Sequence, residues 1–255
     1  MKPTVYRNAA RDVPIVRDCW AGSQKDTAPN HARDVAVRGL NKHINKDKEF
    51  RVFSGEKPTE ISREMFPMKW GDYVDRCQQG LFAYLETQSS DPTSEKQTNH
   101  LMDSFPPAHF ACPFADTFPT SSLIKTRVYM SMMDEERENV VAWHWDGFDQ
   151  SIINVVGSTK FFQVSPPIGP ESRRISGWVS DVQMQAVEER ASMIHLQAGD
   201  VFYLPAGWCH RVVTLGASFT INRAYLTLDM VAALASDPAS PAASMDLAAP
   251  AVTDG

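Results

Sequence analysis

The second half of the chain is a series of short β-type runs, and this series limits the fold more than any other feature. From Ser122 to Leu228, eight runs rich in β-branched and aromatic residues alternate with Gly, Pro, Asp and Ser turns. Their spacing is typical of an antiparallel sandwich or barrel and not of βαβ units. We therefore predict a mainly β fold for this half of the chain.

The first half has a more mixed pattern. Residues 1–48 are polar and weakly periodic, and Pro3, Pro14 and Pro29 interrupt any helix, so we predict an extended arm that wraps the core. Beyond the arm, the periodicity of the apolar residues predicts a strand, a helix and a second strand, at 49–55, 68–80 and 81–87.

The chain accordingly divides into three parts. The arm is followed by one folded domain at 49–235, and residues 236–255 form a low-complexity Ala/Pro/Ser tail. Such a tail has too few large apolar side chains to bury, so we predict that it is disordered.

Composition and charge exclude several classes of protein. The chain has 255 residues with 25 Lys+Arg against 31 Asp+Glu, a net charge of −6, which gives no basic surface for nucleic acid. Its four cysteines form no CxxC pair, which favours a reducing compartment. No stretch of about 18 apolar residues could span a membrane. We expect a soluble, cytoplasmic protein without a nucleic-acid or membrane partner.

The segment VVAWHWDG, residues 140–147, is the most informative for chemistry. On a strand, side chains at i and i+2 share a face, so His144 and Asp146 can reach one ion. An imidazole and a carboxylate are two of the three ligands of the two-histidine, one-carboxylate facial triad, which leaves coordination positions of Fe(II) open. An isolated HxD pattern is nevertheless common, and its histidine is more often structural.

A third ligand is available 66 residues later, in GDVFYLPAGWCHRVV at 199–213. Pro205 and Gly207 bend the chain there, and His210 begins the next strand. The joint occurrence of HxD on an apolar strand with this second segment favours a metal site at His144, Asp146 and His210. The other histidines lack such neighbours and are expected to be structural or on the surface: His31, His43, His100, His109 and His195.

These two segments resemble a known family. HWDGFDQSIINVVGSTKFFQVSPP at 144–167 and GDVFYLPAGWCHRVVTLGASFTINRAY at 199–225 look like the core of the JmjC or cupin-like (cupin_8) Fe(II) and 2-oxoglutarate dependent oxygenases. The resemblance covers residues 120–228 well and 49–87 loosely. It implies a double-stranded β-helix, or jelly-roll, core preceded by N-terminal helices and the arm, with iron held by His144, Asp146 and His210.

The resemblance also implies residues that bind the co-substrate. A family lysine one strand after HxD binds the distal carboxylate of 2-oxoglutarate, and Lys160 matches it by its distance to the Pro166-Pro167 pair. The family turn is Gly-x-Lys, whereas Gly157-Ser-Thr-Lys160 carries one extra residue. Asn222 and Tyr129 match family positions near the co-substrate.

Arg223 is the alternative anchor for the co-substrate. Other 2-oxoglutarate enzymes use an arginine about a dozen residues after the last histidine, and Arg223 lies 13 residues beyond His210. An arginine would bind the carboxylate bidentately. A salt bridge at the strand edge would account for Arg223 equally well.

The function that the resemblance implies is hydroxylation of a C–H bond, coupled to decarboxylation of 2-oxoglutarate to succinate and CO2 with O2 as oxidant. The substrate is left open among an amino acid, a peptide or protein side chain, and a natural-product intermediate. Two alternatives remain: a metal-dependent cupin isomerase, lyase or dioxygenase that does not use 2-oxoglutarate, and a non-catalytic jelly-roll binding protein. A homodimer is also left open, although the chain offers at most one short C-terminal helix for it.

Overall fold

The computed structural model describes residues 1–19, 31–53, 65–79, 84–88, 104, 122–132, 138–156, 160–173 and 176–226. The tail predicted at 236–255 lies outside these residues. Thirteen strands are described: β1 (Thr4–Tyr6), β2 (Glu49–Phe53), β3 (Met65–Lys69), β4 (Tyr84–Gln88), β5 (Ser122–Met132), β6 (Glu138–Trp145), β7 (Asp149–Val156), β8 (Lys160–Ser165), β9 (Gly177–Trp178), β10 (Ser192–Leu196), β11 (Val201–Leu204), β12 (Cys209–Leu215) and β13 (Ala217–Leu226).

The strands form two antiparallel sheets with the order of a jelly roll. The larger sheet has the order β1-β11-β7-β13-β5-β4-β2-β3, and the smaller has the order β10-β8-β12-β6-β9. From β5 onward, strands that follow one another in sequence mostly lie in opposite sheets, as in a double-stranded β-helix. The eight predicted runs correspond to β5–β8 and β10–β13, so the prediction of a mainly β, jelly-roll fold is confirmed.

Four α-helices accompany the sheets in the described part of the chain. The predicted helix at 68–80 is observed, and the described helices are α1 (Pro14–Asp18), α2 (His31–Leu40), α3 (Trp70–Gln78) and α4 (Asp181–Glu188). None of them has the length and hydropathy that a membrane span requires.

The N-terminal segment differs from the extended arm that its prolines predict, because α1 and α2 both lie within it. Pro14 occupies the first turn of α1, where a missing N–H costs nothing. The segment still wraps the core, since β1 pairs with β11 and the buried Asp200 carboxylate accepts hydrogen bonds from the Arg7 guanidinium and the Asn8 backbone N–H.

The larger sheet separates two apolar regions. Strand β7 is buried along its whole length, and its alternate side chains serve different cores. Ile153 joins the cluster that includes Leu40 and Trp70 of the helices, whereas Ile152 packs with Phe162 between the two sheets. The helices therefore cover the outer face of the larger sheet, and the space between the sheets remains for a site.

Candidate metal centre and cavity

Adjacent strands of the smaller sheet bring the two predicted histidine ligands together. β12 pairs antiparallel with β6, and His210 lies directly opposite His144 in the register. Their ring centroids are 4.0 Å apart. The strands between them thus return the chain to its starting point. Asp146 follows β6 and presents its carboxylate 3.7 Å from His210 Nε2.

The three side chains have the arrangement that a single metal ion requires. One potential ligand atom from each of His144, Asp146 and His210 lies within 4.8 Å of the other two. Each imidazole has Nδ1 next to a backbone carbonyl oxygen, that of Ala142 at 2.8 Å and that of Trp208 at 3.1 Å. A carbonyl oxygen can only accept a hydrogen bond, so Nδ1 of each ring carries a proton, and Nε2 is the nitrogen that remains available to a metal.

Gly207 allows the chain to bend just before His210, so that His210 can reach the site. Gly207 has φ of +79°, and its N–H donates to the Asp146 backbone carbonyl at 2.8 Å. A Cβ at this position would lie 2.8 Å from Arg173 Cγ. Glycine alone adopts this backbone conformation without strain, so the bend in the AGWCH segment depends on it.

The carboxylate of Asp146 is held by neighbouring side chains. Gln150 Nε2 donates to Asp146 Oδ2 at 2.5 Å, and Ser176 Oγ donates to Oδ1 at 3.3 Å. Gln150 in turn accepts a hydrogen bond from Asn222 Nδ2. The chain Asn222–Gln150–Asp146 therefore connects the larger sheet to the carboxylate and fixes its orientation.

Burial and charge set the protonation states of the site. Burial, reinforced by the nearby His144, lowers the pKa of His210 to about 3 against the attraction of Asp146. Burial would raise the pKa of Asp146, but the charges of His210, His144 and Arg127 outweigh it and hold this pKa below its usual value. A neutral imidazole beside an ionised carboxylate is the state in which both can bind a cation.

The three residues lie at one end of a cavity of about 310 Å³ between the sheets. Strand register orders the residues along each wall, and the contacts from Asn222 through Gln150 to Asp146 align the two walls, so that three layers can be distinguished. The layer nearest the carboxylate contains His144, His210, Arg127 and Asn222. Below it, polar and apolar residues form a middle layer, and buried hydroxyl groups form the floor. The middle layer contains Tyr129, Thr220, Phe162 and Val212, and the floor contains Ser131, Ser218 and Thr214.

The structure brings two of the four predicted co-substrate residues to the cavity. Asn222 and Tyr129 both line it. Lys160 begins β8 opposite Thr214, but its side chain lies outside the described part of the structure. Arg223 is not among the lining residues, as the alternation of side chains along β13 requires when Asn222 faces inward.

Two of the histidines expected to be structural are described, and both lie outside the cavity lining. His43 Nε2 lies 2.8 Å from Asp18 Oδ2, and His195 stacks on Phe161 with ring centroids 4.7 Å apart. The His31 side chain, His100 and His109 lie outside the described residues.

Arg127, Gln150 and Trp178 also line the cavity, although none was a sequence candidate. Arg127 lies two residues before Tyr129 on β5, and the same alternation that placed Asn222 could have identified it. Gln150 Nε2 contacts Asp146 across a turn, which HxD spacing does not reveal. Trp178 lies on the two-residue strand β9, which has no periodicity to recognise.

Trp178 and Trp145 shape the mouth of the cavity. Trp178 lies opposite His144 in the register, with ring centroids 5.1 Å apart, and is 52% exposed. Trp145 also lines the cavity, and a Cβ at Gly177 would lie 2.5 Å from its indole ring. The glycine therefore lets β9 approach the indole ring closely and carries Trp178 to the rim.

Comparison with models of known protein families gives a match for the second half of the chain. A family model described as the JmjC domain matches residues 107–230, a range that includes the histidine pair, Asp146 and both walls of the cavity. No curated protein matches the chain. The strand order of the two sheets agrees with this match, and residues 107–230 are therefore similar to the JmjC domain in both sequence and fold.

Proposed function

We propose that this protein is an Fe(II) and 2-oxoglutarate dependent oxygenase that hydroxylates a C–H bond. The observation that carries the proposal is the meeting of His144, Asp146 and His210 at one end of a cavity inside a JmjC domain.

The donor set fits Fe(II). Two neutral imidazole nitrogens and one carboxylate oxygen form the facial triad of non-haem iron oxygenases, and three ligands leave room for further ones. The hydrogen bonds at Nδ1 of both histidines and at the Asp146 carboxylate orient the ligands before a metal arrives. His144, Asp146 and His210 would thus hold the iron.

The floor of the cavity fits the distal carboxylate of 2-oxoglutarate. Ser131 Oγ is buried there and has no hydrogen-bond partner among the described residues, which is costly unless a ligand supplies one. Ser218 and Thr214 bring further buried hydroxyl groups to the same layer. These groups can donate to a carboxylate, and Tyr129 lies one layer above them.

Strand register supports Lys160 as the cation at this floor. Position 160 lies opposite Thr214 in the register and, two residues before Phe162, on the same face of β8. Thr214 and Phe162 both line the cavity. Thr214 lies four positions after His210 along β12, a distance of about 13 Å. That span suits a five-carbon dicarboxylate together with an extended lysine. We therefore retain Lys160 as the anchor, with Asn222 and Tyr129 beside the co-substrate and Arg223 as the alternative anchor.

When bound, iron, 2-oxoglutarate and O2 would supply the oxidising chemistry, and the products from the co-substrate would be succinate and CO2. The chain's own residues would hold and orient the reactants. Gln150 would keep the Asp146 carboxylate in place, and Phe162 and Val212 would exclude water from the middle layer. The rim at Trp178 would position the C–H bond of the substrate.

The substrate classes in our proposal are an amino acid, a peptide or protein side chain, and a natural-product intermediate. The cavity mouth at the half-exposed Trp178 can admit any of these. We also retain the cytoplasm as the predicted location, and the three described cysteines, Cys19, Cys77 and Cys209, are buried and form no disulfide.

Succinate formation tests the proposal. Purified protein with Fe(II), ascorbate and 2-oxoglutarate should release succinate slowly even without a substrate, and His144→Ala should abolish this release. His43→Ala is the matched control, because His43 pairs with Asp18 away from the cavity. No succinate from metal-loaded wild-type protein would favour the cupin that does not use 2-oxoglutarate, and failure to bind metal would favour the non-catalytic protein.

A further inference from the structure

One cationic side chain that lines the cavity, Arg127, is neither a predicted metal ligand nor the predicted anchor of the co-substrate. Arg127 lies on β5 and lines the cavity in the layer of Asn222, two layers above the floor. Its Nη1 donates to Tyr129 Oη at 3.2 Å, which fixes the direction of the guanidinium group. Among the described lining residues, Arg127 and Asp146 are the two that carry full charges.

The position of Arg127 favours contact with the substrate over contact with the distal carboxylate of the co-substrate. The distal carboxylate is assigned to the floor, where Ser131 and position 160 lie. Arg127 instead shares the layer of the metal ligands, and this layer opens to solvent at Trp178 and Ser176. A molecule that enters through this mouth reaches Arg127 before it reaches the floor.

The net charge of the site with metal and co-substrate bound permits an anion beside Arg127. Asp146 alone would repel a second carboxylate, and Asp146 and Arg127 line the same cavity. With a divalent metal, 2-oxoglutarate and a protonated Lys160 in place, the formal charges of the metal centre cancel. An anion that approaches Arg127 is then no longer opposed by a net negative charge at the metal centre.

We propose that Arg127 binds a carboxylate of the substrate, so that the substrate of this enzyme is an acid whose apolar part lies against Trp178. A planar guanidinium has five donors in a fork that matches a carboxylate, so it can hold one while it donates to Tyr129. This inference rests on the proposed function, because it names the substrate class of the same site.

A matched pair of probes tests the inference. The protein is loaded with Mn(II) and N-oxalylglycine, an unreactive analogue of 2-oxoglutarate, and titrated calorimetrically with benzoate and with benzamide. Both probes have a ring for Trp178, but benzoate alone has the negative charge. We expect benzoate to bind at least about tenfold more tightly, as a charge-assisted bidentate contact would produce.

Variants test whether Arg127 is the source of the preference for benzoate over benzamide. Arg127→Gln should reduce benzoate binding to the level of benzamide, and Arg127→Lys, which keeps the charge, should retain part of the preference. Arg211→Gln should keep all of it, because Arg211 contacts Gln163 outside the cavity lining. Trp178→Ala should weaken both probes alike. Benzoate that coordinated the Mn(II) directly would keep its advantage in Arg127→Gln.

Four outcomes would overturn the inference: equal affinity of the two probes for wild-type protein, no measurable binding of benzoate, an undiminished preference in Arg127→Gln, or an N-oxalylglycine affinity that falls about tenfold in Arg127→Gln. The last outcome would make Arg127 a co-substrate anchor. Failure of the proposed function is distinguishable, because wild-type protein would then fail to bind Mn(II) or N-oxalylglycine before any probe is added.

Discussion

Replacing Gln150 by leucine should weaken metal binding without touching a metal ligand. Gln150 is 1% exposed, donates to Asp146 Oδ2 at 2.5 Å and accepts from Asn222 Nδ2. Leucine has a similar volume but cannot form either hydrogen bond. The Asp146 carboxylate then loses the contact that orients it toward the two imidazoles, and the Asn222 amide loses its acceptor.

The size of the effect follows from these two contacts. Loss of a hydrogen-bonding partner behind a metal ligand reduces metal affinity about 10- to 100-fold, which corresponds to about 1.4–2.7 kcal/mol. Loss of two buried hydrogen bonds should also reduce the free energy of unfolding of the metal-free protein by about 2 kcal/mol. Gln150→Leu should thus remain folded while its metal dissociation constant rises at least about tenfold.

Competition with a chelator measures this constant. Mn(II) or Fe(II) is titrated anaerobically into wild-type protein, Gln150→Leu and the control Gln163→Leu, whose glutamine accepts from Arg211 outside the cavity lining. The control should bind metal as wild type does. A folded Gln150→Leu protein with the wild-type dissociation constant would refute the argument that Gln150 orients Asp146.

Other predictions address the anchor, the cavity rim and the buried thiols. Lys160→Ala should raise the Michaelis constant for 2-oxoglutarate about tenfold or more, whereas Arg223→Ala should not; the reverse result would move the anchor to Arg223. Gly177→Ala should lower the free energy of unfolding by about 1–3 kcal/mol, because its Cβ would lie 2.5 Å from an indole ring. In chemical denaturation Gly169→Ala, which has open space around its Cβ, should show no such loss. Burial raises the pKa of Cys77 to about 11, so its thiolate should become abundant only as pH approaches that value. At pH 8 labelling of Cys77 should therefore be slow in native protein and fast in denaturant; equal rates would contradict its burial.

The sequence was sufficient for the fold and for the pairing of His144 with Asp146 because both depend on local patterns. Alternation along a strand places His144 and Asp146 on one face, and short runs between turns predict the two sheets. The register that sets His210 opposite His144 depends on the whole sheet, and no local pattern contains it. The resemblance to a family supplied that connection.

Features that depend on long-range packing were not predictable in this way. Gln150 contacts Asp146 only because β7 turns back under β6, and a glutamine in a buried strand gives no sign of its partner. The helix at Pro14 was unexpected because proline generally interrupts helices, whereas at the first turn it fits. Arg127 was predictable in principle, because it lies two residues before Tyr129 on the same strand and therefore on the same face.

A crystal structure of the protein grown anaerobically with Fe(II) and 2-oxoglutarate tests the central claim most directly. We predict one iron ion bonded to Nε2 of His144, to the carboxylate of Asp146 and to Nε2 of His210, with the keto-acid end of 2-oxoglutarate on the same ion. Iron bound elsewhere, or a metal-free cavity in protein that is folded and saturated with both components, would contradict the account.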